Sequence, residues 1–88
     1  MVIRVSGALL RFTDYRRSIN VDAPTVEAAL DVLSTQYEPL RKVIFDRSGQ
    51  VRGTHRIFLN GEQLDSNQLA SPVCETDSVD LLFAISGG

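Results

Sequence analysis

The stretch DAPTVEAALDVLSTQY, residues 22–37, decides how the rest of the chain has to be read. Val26, Ala29, Leu30, Leu33 and Tyr37 recur every three or four residues, which lines them up as one apolar stripe on an α-helix. Glu27, Asp31 and Gln36 fall away from that stripe. Pro24 cannot extend a strand ladder, Thr25 is a capping residue, and Glu27 puts a negative charge in the first turn, where the helix dipole favours it. Pro39 sets the far limit, and the helix should end before it. A helix with a single apolar stripe needs one broad surface to cover, and the flanking sequence supplies strands.

Upstream, residues 1–6 alternate, with Ile3 and Val5 on one face and Arg4 and Ser6 on the other, the pattern of a half-buried strand. Residues 7–14 break the alternation, although Leu9, Leu10 and Phe12 must find apolar neighbours. YRRSINVD, residues 15–22, reads as a second strand with Ile19 and Val21 inward, so the chain starts with a hairpin. Downstream, LRKVIF (residues 40–45) fits either a short second helix or an irregular packed segment. A polar, glycine-punctuated loop follows, then a strand in HRIFLN and a turn at Asn60-Gly61, the strongest short hairpin signal in the chain. Leu69, Pro72 and Val73 read as loop, and VDLLFAI (residues 79–85) as the last strand. The sum is an α+β domain, one main helix packed on one face of a mixed sheet of about five strands. The expected core is Ile3, Val5, Ile19, Val21, Val26, Leu30, Leu33, Ile57, Leu59, Leu81 and Phe83.

Length and charge narrow the function. The 88 residues fit one domain. So short a chain buries only about 60% of its unfolded surface, too little for a deep enclosed substrate pocket beside a core. The net charge of −2 gives no general attraction to nucleic acid or anionic lipid. Charge is uneven, however: Arg41, Lys42, Arg47, Arg52 and Arg56 outnumber Asp46 in one segment, while from Ile57 onward there is no Lys or Arg. These are either solvated faces or docking surfaces for a charged partner.

Cys74 is the only cysteine, which rules out an intrachain disulfide and fits a reducing cytoplasm. MVIRVSG is too short and too soon broken to be a signal peptide or a membrane span. With one His and one Cys, no zinc site can be assembled from those ligands. His55 reads as a surface or edge-strand residue and Cys74 as a small, partly buried side chain. No glycine-rich phosphate loop occurs.

Chemistry is therefore sought at Ile85-Ser86-Gly87-Gly88, where an apolar strand runs straight into Gly-Gly. A terminal Gly-Gly can be mere slack or a cloning scar. Yet glycine has no Cβ and accepts almost any backbone conformation, so such an end can thread a channel too narrow for side chains. Four extended residues reach at most ~14 Å, enough to enter a partner's pocket while the body stays outside.

With ALLRFT, APTVEAALDVL, HRIFLNGEQL and ETDSVDLLFAISGG in this order, the chain resembles the MoaD/ThiS family of ubiquitin-like sulfur carriers over essentially its whole length. The longer loop around RSGQVRGTHR is most similar to the molybdopterin-synthase small subunit and the sulfur carrier of a cysteine-forming pathway. Phe83-Ala84-Ile85 stands where many relatives have prolines, which leaves the pathway open. The resemblance implies a β-grasp domain over residues 1–84 and a flexible tail over 85–88. It implies that a partner resembling the ubiquitin-activating enzymes uses ATP and Mg²⁺, bound by that partner and not by this chain, to adenylate the Gly88 carboxylate. A sulfur donor (a persulfide or sulfide source) then displaces AMP, and the Gly88 thiocarboxylate passes its sulfur to a downstream synthase. Gly88 is the reacting group, Gly87 gives slimness, and Ser86 and Ile85 guide the tail. No enzyme activity of its own, no resident metal or cofactor, no nucleic acid, no membrane and a monomeric free state are expected, in the cytoplasm.

Strand parity names a docking surface. If Ile57 and Leu59 point inward, Arg56 and Phe58 point outward; if Leu81 and Phe83 point inward, Asp80 and Leu82 point outward. Phe58 and Leu82 would then form an apolar patch for the activating enzyme. The competing readings are a ubiquitin-like binding module without tail chemistry, a protein modifier that joins Gly88 to lysines, and, least favoured, a stand-alone enzyme.

Overall fold

A computed structural model describes residues 1–52 and 55–83, and the side chains of Ser66 and Phe83 are left out of the description. Helix α1 spans Val26–Gln36. Thr25 caps it, its hydroxyl accepting from the Ala28 N–H at 3.1 Å, and Glu27 lies in the first turn. Val26, Ala29, Leu30 and Leu33 are buried along one stripe. The helix stops before Pro39 as expected: Tyr37 makes the last bond, to Leu33 O at 3.0 Å, and itself leaves the helical region at φ −125° and ψ 82°. Pro39 instead sits in the first turn of a second helix, α2 (Glu38–Ile44), where a missing N–H costs nothing. LRKVIF thus takes the helical alternative up to Ile44, burying Leu40 and Ile44.

The sheet has five strands: β1 (Val2–Val5), β2 (Ser18–Asn20), β3 (His55–Leu59), β4 (Glu62–Leu64) and β5 (Ser78–Phe83), in the order β2-β1-β5-β3-β4. β1 and β5 pair in parallel at the centre, and the other neighbours are antiparallel. The β3–β4 hairpin closes at Asn60-Gly61, both at positive φ (51° and 86°), which suits those residue types. Short 3-10 turns at Gly7–Phe12 and Ser66–Gln68 fill the gaps, and the first tucks Leu9 into the core. All the expected core residues whose side chains are described are buried except Leu59, which sits half-buried at the rim.

Three expectations are corrected. β2 covers only Ser18–Asn20, because Asp14 and Tyr15 take left-handed φ values of 54° and 61° and turn the chain just before it. His55 is buried, not a surface residue: β3 has a neighbour on each side, and His55 shares the core-facing parity of Ile57. Cys74 is exposed, because the Asp77 carboxylate accepts from the Cys74 N–H at 2.7 Å and folds that segment into a surface turn.

Candidate functional site: the open sheet face and the end of β5

The helices cover one face of the sheet and leave the other open. Register places a continuous row across the open face: Ser18, Arg4, Asp80, Phe58 and Gln63, on five successive strands. One step towards the end of β5, Leu82 lies opposite Arg56. The parity expectation therefore holds for both residues: Phe58 and Leu82 stand on neighbouring strands, Phe58 half-buried and Leu82 39% exposed. They line a shallow hollow of about 360 Å³ with Arg4, Arg17, Ser18 and Asp80. Arg4 and Asp80 are 4.0 Å apart, at the edge of ion-pair distance, and Arg4 is mostly exposed, so their attraction adds little stability and leaves the guanidinium available to a partner.

The sequence assigned the tail chemistry to Gly88, with Gly87, Ser86 and Ile85 leading to it; all lie outside the described residues. What the fold does fix is where the chain approaches them. β5 is the middle strand, held by β1 and β3, and its last described residue, Phe83, pairs with His55. His55 in turn is anchored to α2: its Nε2 lies 2.7 Å from Val43 O, and since a carbonyl only accepts, that nitrogen carries the proton. Burial holds the imidazole pKa below its ordinary value, with nearby Arg52 pushing the same way and the Val43 hydrogen bond opposing. The pairing with β1 stops at Leu81, so the end of β5, Leu82 and Phe83, is braced by β3 and, through His55, by a helix.

At this same end of the sheet the connection between β1 and β2 carries a feature that sequence reading missed. Tyr15 is 73% exposed, the most exposed large apolar side chain among the described residues. Its turn is tightly held: Tyr15 N–H donates to Leu10 O at 2.8 Å and Arg16 N–H to Thr13 O at 2.9 Å. The fully buried Thr13 hydroxyl donates to Arg16 O at 3.0 Å, with Leu10 O 3.3 Å away as the alternative acceptor. Asp14, a turn residue, and the neighbouring Arg16-Arg17 pair were the local signals for an exposed turn.

Among the described residues no group of three or more His, Cys, Asp or Glu side chains is placed to hold a metal ion, and no helix is long and apolar enough to cross a membrane.

No curated protein matches the chain in sequence. Solved structures do match in fold. The crystal structure of SAMP1 from Haloferax volcanii is similar at TM-score 0.82 and 25% identity, over 99% of this chain and 97% of that one. The solution structure of small archaeal modifier protein 1 from Methanosarcina acetivorans gives TM-score 0.88 at 20% identity, over 99% and 94%. The BexX/CysO complex from Amycolatopsis orientalis contains a chain similar at TM-score 0.80 and 18% identity, over 99% and 98%. The mixed five-stranded sheet with its covering helix is the ubiquitin-like β-grasp fold of these proteins. The sequence model of the ThiS family matches residues 3–88, and with the fold agreeing throughout, this chain belongs to the ThiS family of ubiquitin-like sulfur carriers.

Proposed function

We propose that the protein is a sulfur carrier acting through the Gly88 carboxylate. The observation that carries this reading is the family match, which extends through Gly88 and so takes in the Gly-Gly segment. A carboxylate is a poor electrophile, because its charge is delocalised and an oxide is a bad leaving group. A partner related to the ubiquitin-activating enzymes converts it, with ATP and Mg²⁺ bound by that partner, into an acyl-adenylate and pyrophosphate. A sulfide or persulfide sulfur attacks the acyl carbon and AMP leaves; with a persulfide, a thiol reductant then cleaves the S–S bond. The resulting thiocarboxylate delivers sulfur to a downstream synthase. This chain contributes the reacting carboxylate, a slim lead through Gly87, and a body whose open face, at Phe58 and Leu82, docks on the activating enzyme.

The likeness to SAMP1, a modifier protein, favours a second reading, in which the same acyl-adenylate is attacked by a lysine amine of a target protein to give an amide. Both share the first step. Intact mass after incubation with ATP, the activating enzyme and a sulfide source separates them. Replacement of one oxygen by sulfur on this chain supports the carrier, and a covalent adduct with a target supports the modifier. Deleting Gly88 should abolish ATP–pyrophosphate exchange, and normal exchange by that variant overturns both. Phe58→Asp should weaken the enzyme complex by roughly tenfold without unfolding the chain.

A further inference from the structure

Charge is sorted by the two ends of the sheet. At the end where β5 finishes, the 6–17 connection holds Arg11, Arg16 and Arg17 against Asp14, and Arg52 and Arg56 stand at the start of β3. At the opposite end, the connections carry Asp22, Glu62, Glu75 and Asp77 and, among the described residues, no Lys or Arg; the Met1 amino group there is buried on Val21 O at 3.0 Å. Among the described residues, Arg16, Arg17 and Arg56 make no ion pair, and Asp77 is occupied by Asn60 at 3.0 Å and by Cys74 N–H. The strand order sets Arg16-Arg17, before β2, on one side of β5 and Arg52 and Arg56 on the other. Tyr15, 73% exposed, precedes Arg16-Arg17 directly, and its own left-handed φ of 61° is costly for an aromatic side chain, whereas Asp14 before it tolerates that region. The fold holds an aromatic outward at a conformational cost, beside arginines; Tyr and Arg are the residue types that dominate interface energetics.

We infer that the Tyr15-Arg16-Arg17 turn, with Arg52 and Arg56 across β5, is a docking rim for a protein surface that is acidic around the opening its tail enters and offers Tyr15 an apolar cleft. This deepens the tail reading above by naming the chemistry of the partner's surface. The six residues of β5 span about 20 Å, more than twice the screening length of about 8 Å at physiological salt. The two ends therefore act separately: an acidic partner attracts the arginine end and repels the carboxylate end, which turns the molecule tail first before contact. The apolar hollow at Phe58 and Leu82 adjoins Arg17. That continuity favours a protein, with aliphatic side chains to cover Leu82, over a nucleic acid, whose only aliphatic group is the thymine methyl.

The test has an arm that does not use tail chemistry. Backbone amide shifts of the labelled chain are followed while a decapeptide of alternating Glu and Leu, or an oligo-dT of similar length, is added. Shifts confined to residues 11–17, 52, 56 and 82 with the peptide are expected, lost by roughly tenfold in affinity in R16E/R17E/R52E and unchanged in D22K/E75K. Shifts at the carboxylate end, none at all, or tighter binding of oligo-dT overturn the proposal. Tyr15→Gly relaxes the turn, so it should melt no lower than wild type while binding the peptide several-fold more weakly; unchanged binding removes Tyr15 from the rim. In pyrophosphate exchange with the activating enzyme, the arginine variant should raise KM and leave kcat alone, and an unchanged KM overturns the rim. If wild type itself gives no exchange, the tail reading fails and the peptide arm still decides the rim.

Discussion

Along β5 alternate residues meet opposite fates. Val79 and Leu81 are fully buried in the core, while Asp80 and Leu82 face out beside Arg4 and Phe58. On the covered face each side chain is held by several neighbours at once, so its identity is dictated by volume. On the open face the same backbone imposes almost nothing, and the residues found there are free to answer to a partner. The difference separates what stabilises this protein from what it uses.

The sharpest way to break that contrast is in the core. Leu30→Ala or Leu33→Ala should lower unfolding free energy by about 2–5 kcal/mol in urea titrations, most of a small domain's margin; a loss under ~1 kcal/mol would mean the covered face is not the packed one. Thr13 tests whether the covered side also governs the exposed Tyr15 turn. Thr13→Val keeps shape and deletes a buried hydroxyl, which should cost about 1–3 kcal/mol and raise amide exchange at Tyr15 and Arg16.

A smaller effect is expected with pH. The folded state favours neutral His55, so its pKa lies below the ordinary 6.5. The unfolded chain takes up the proton first, and the corresponding stability is present in full above about 6.5 and lost as pH falls through the depressed folded value. His is present once, so urea midpoints at about pH 7.5 and pH 5.5 should differ, and the difference should shrink in His55→Gln. The smallest change belongs to the open face: Arg4→Ala should shift stability by at most ~0.5 kcal/mol, since its contact with Asp80 is long and solvated.

How legible each part was follows from how local its cause is. The stripe of α1, its Thr25 cap and the Asn60-Gly61 turn depend on residues close in sequence, and all stand where the pattern put them. The outward parity of Phe58 and Leu82 was equally readable, because it needs only a period of two. His55 obeys the same parity, and reading it as an edge residue overlooked that rule. The Tyr15 turn was hardly legible: Asp14 is a turn residue, but nothing local puts Tyr15 at left-handed φ, and the hydrogen bonds that hold it there come from a buried Thr13 and the Leu10 carbonyl. The tail chemistry was read from residues outside those the structure describes, so it rests on the family.

The central parallel pair has a consequence in time. Val2 pairs with Ser78 and Val5 with Leu81, so the first strand has no inner neighbour until residues 78–81 have been made. Loop closure over such a span is slow, and a nascent chain can form α1 and the β3–β4 hairpin long before it can complete the sheet. A chain truncated before β5 would leave β1 and β3 with open inner edges and the aliphatic stripe of α1 uncovered, a state open to aggregation and proteolysis. Folding thus acts as a check on synthesis: only a molecule that has reached β5, the strand leading to the tail, becomes a stable domain.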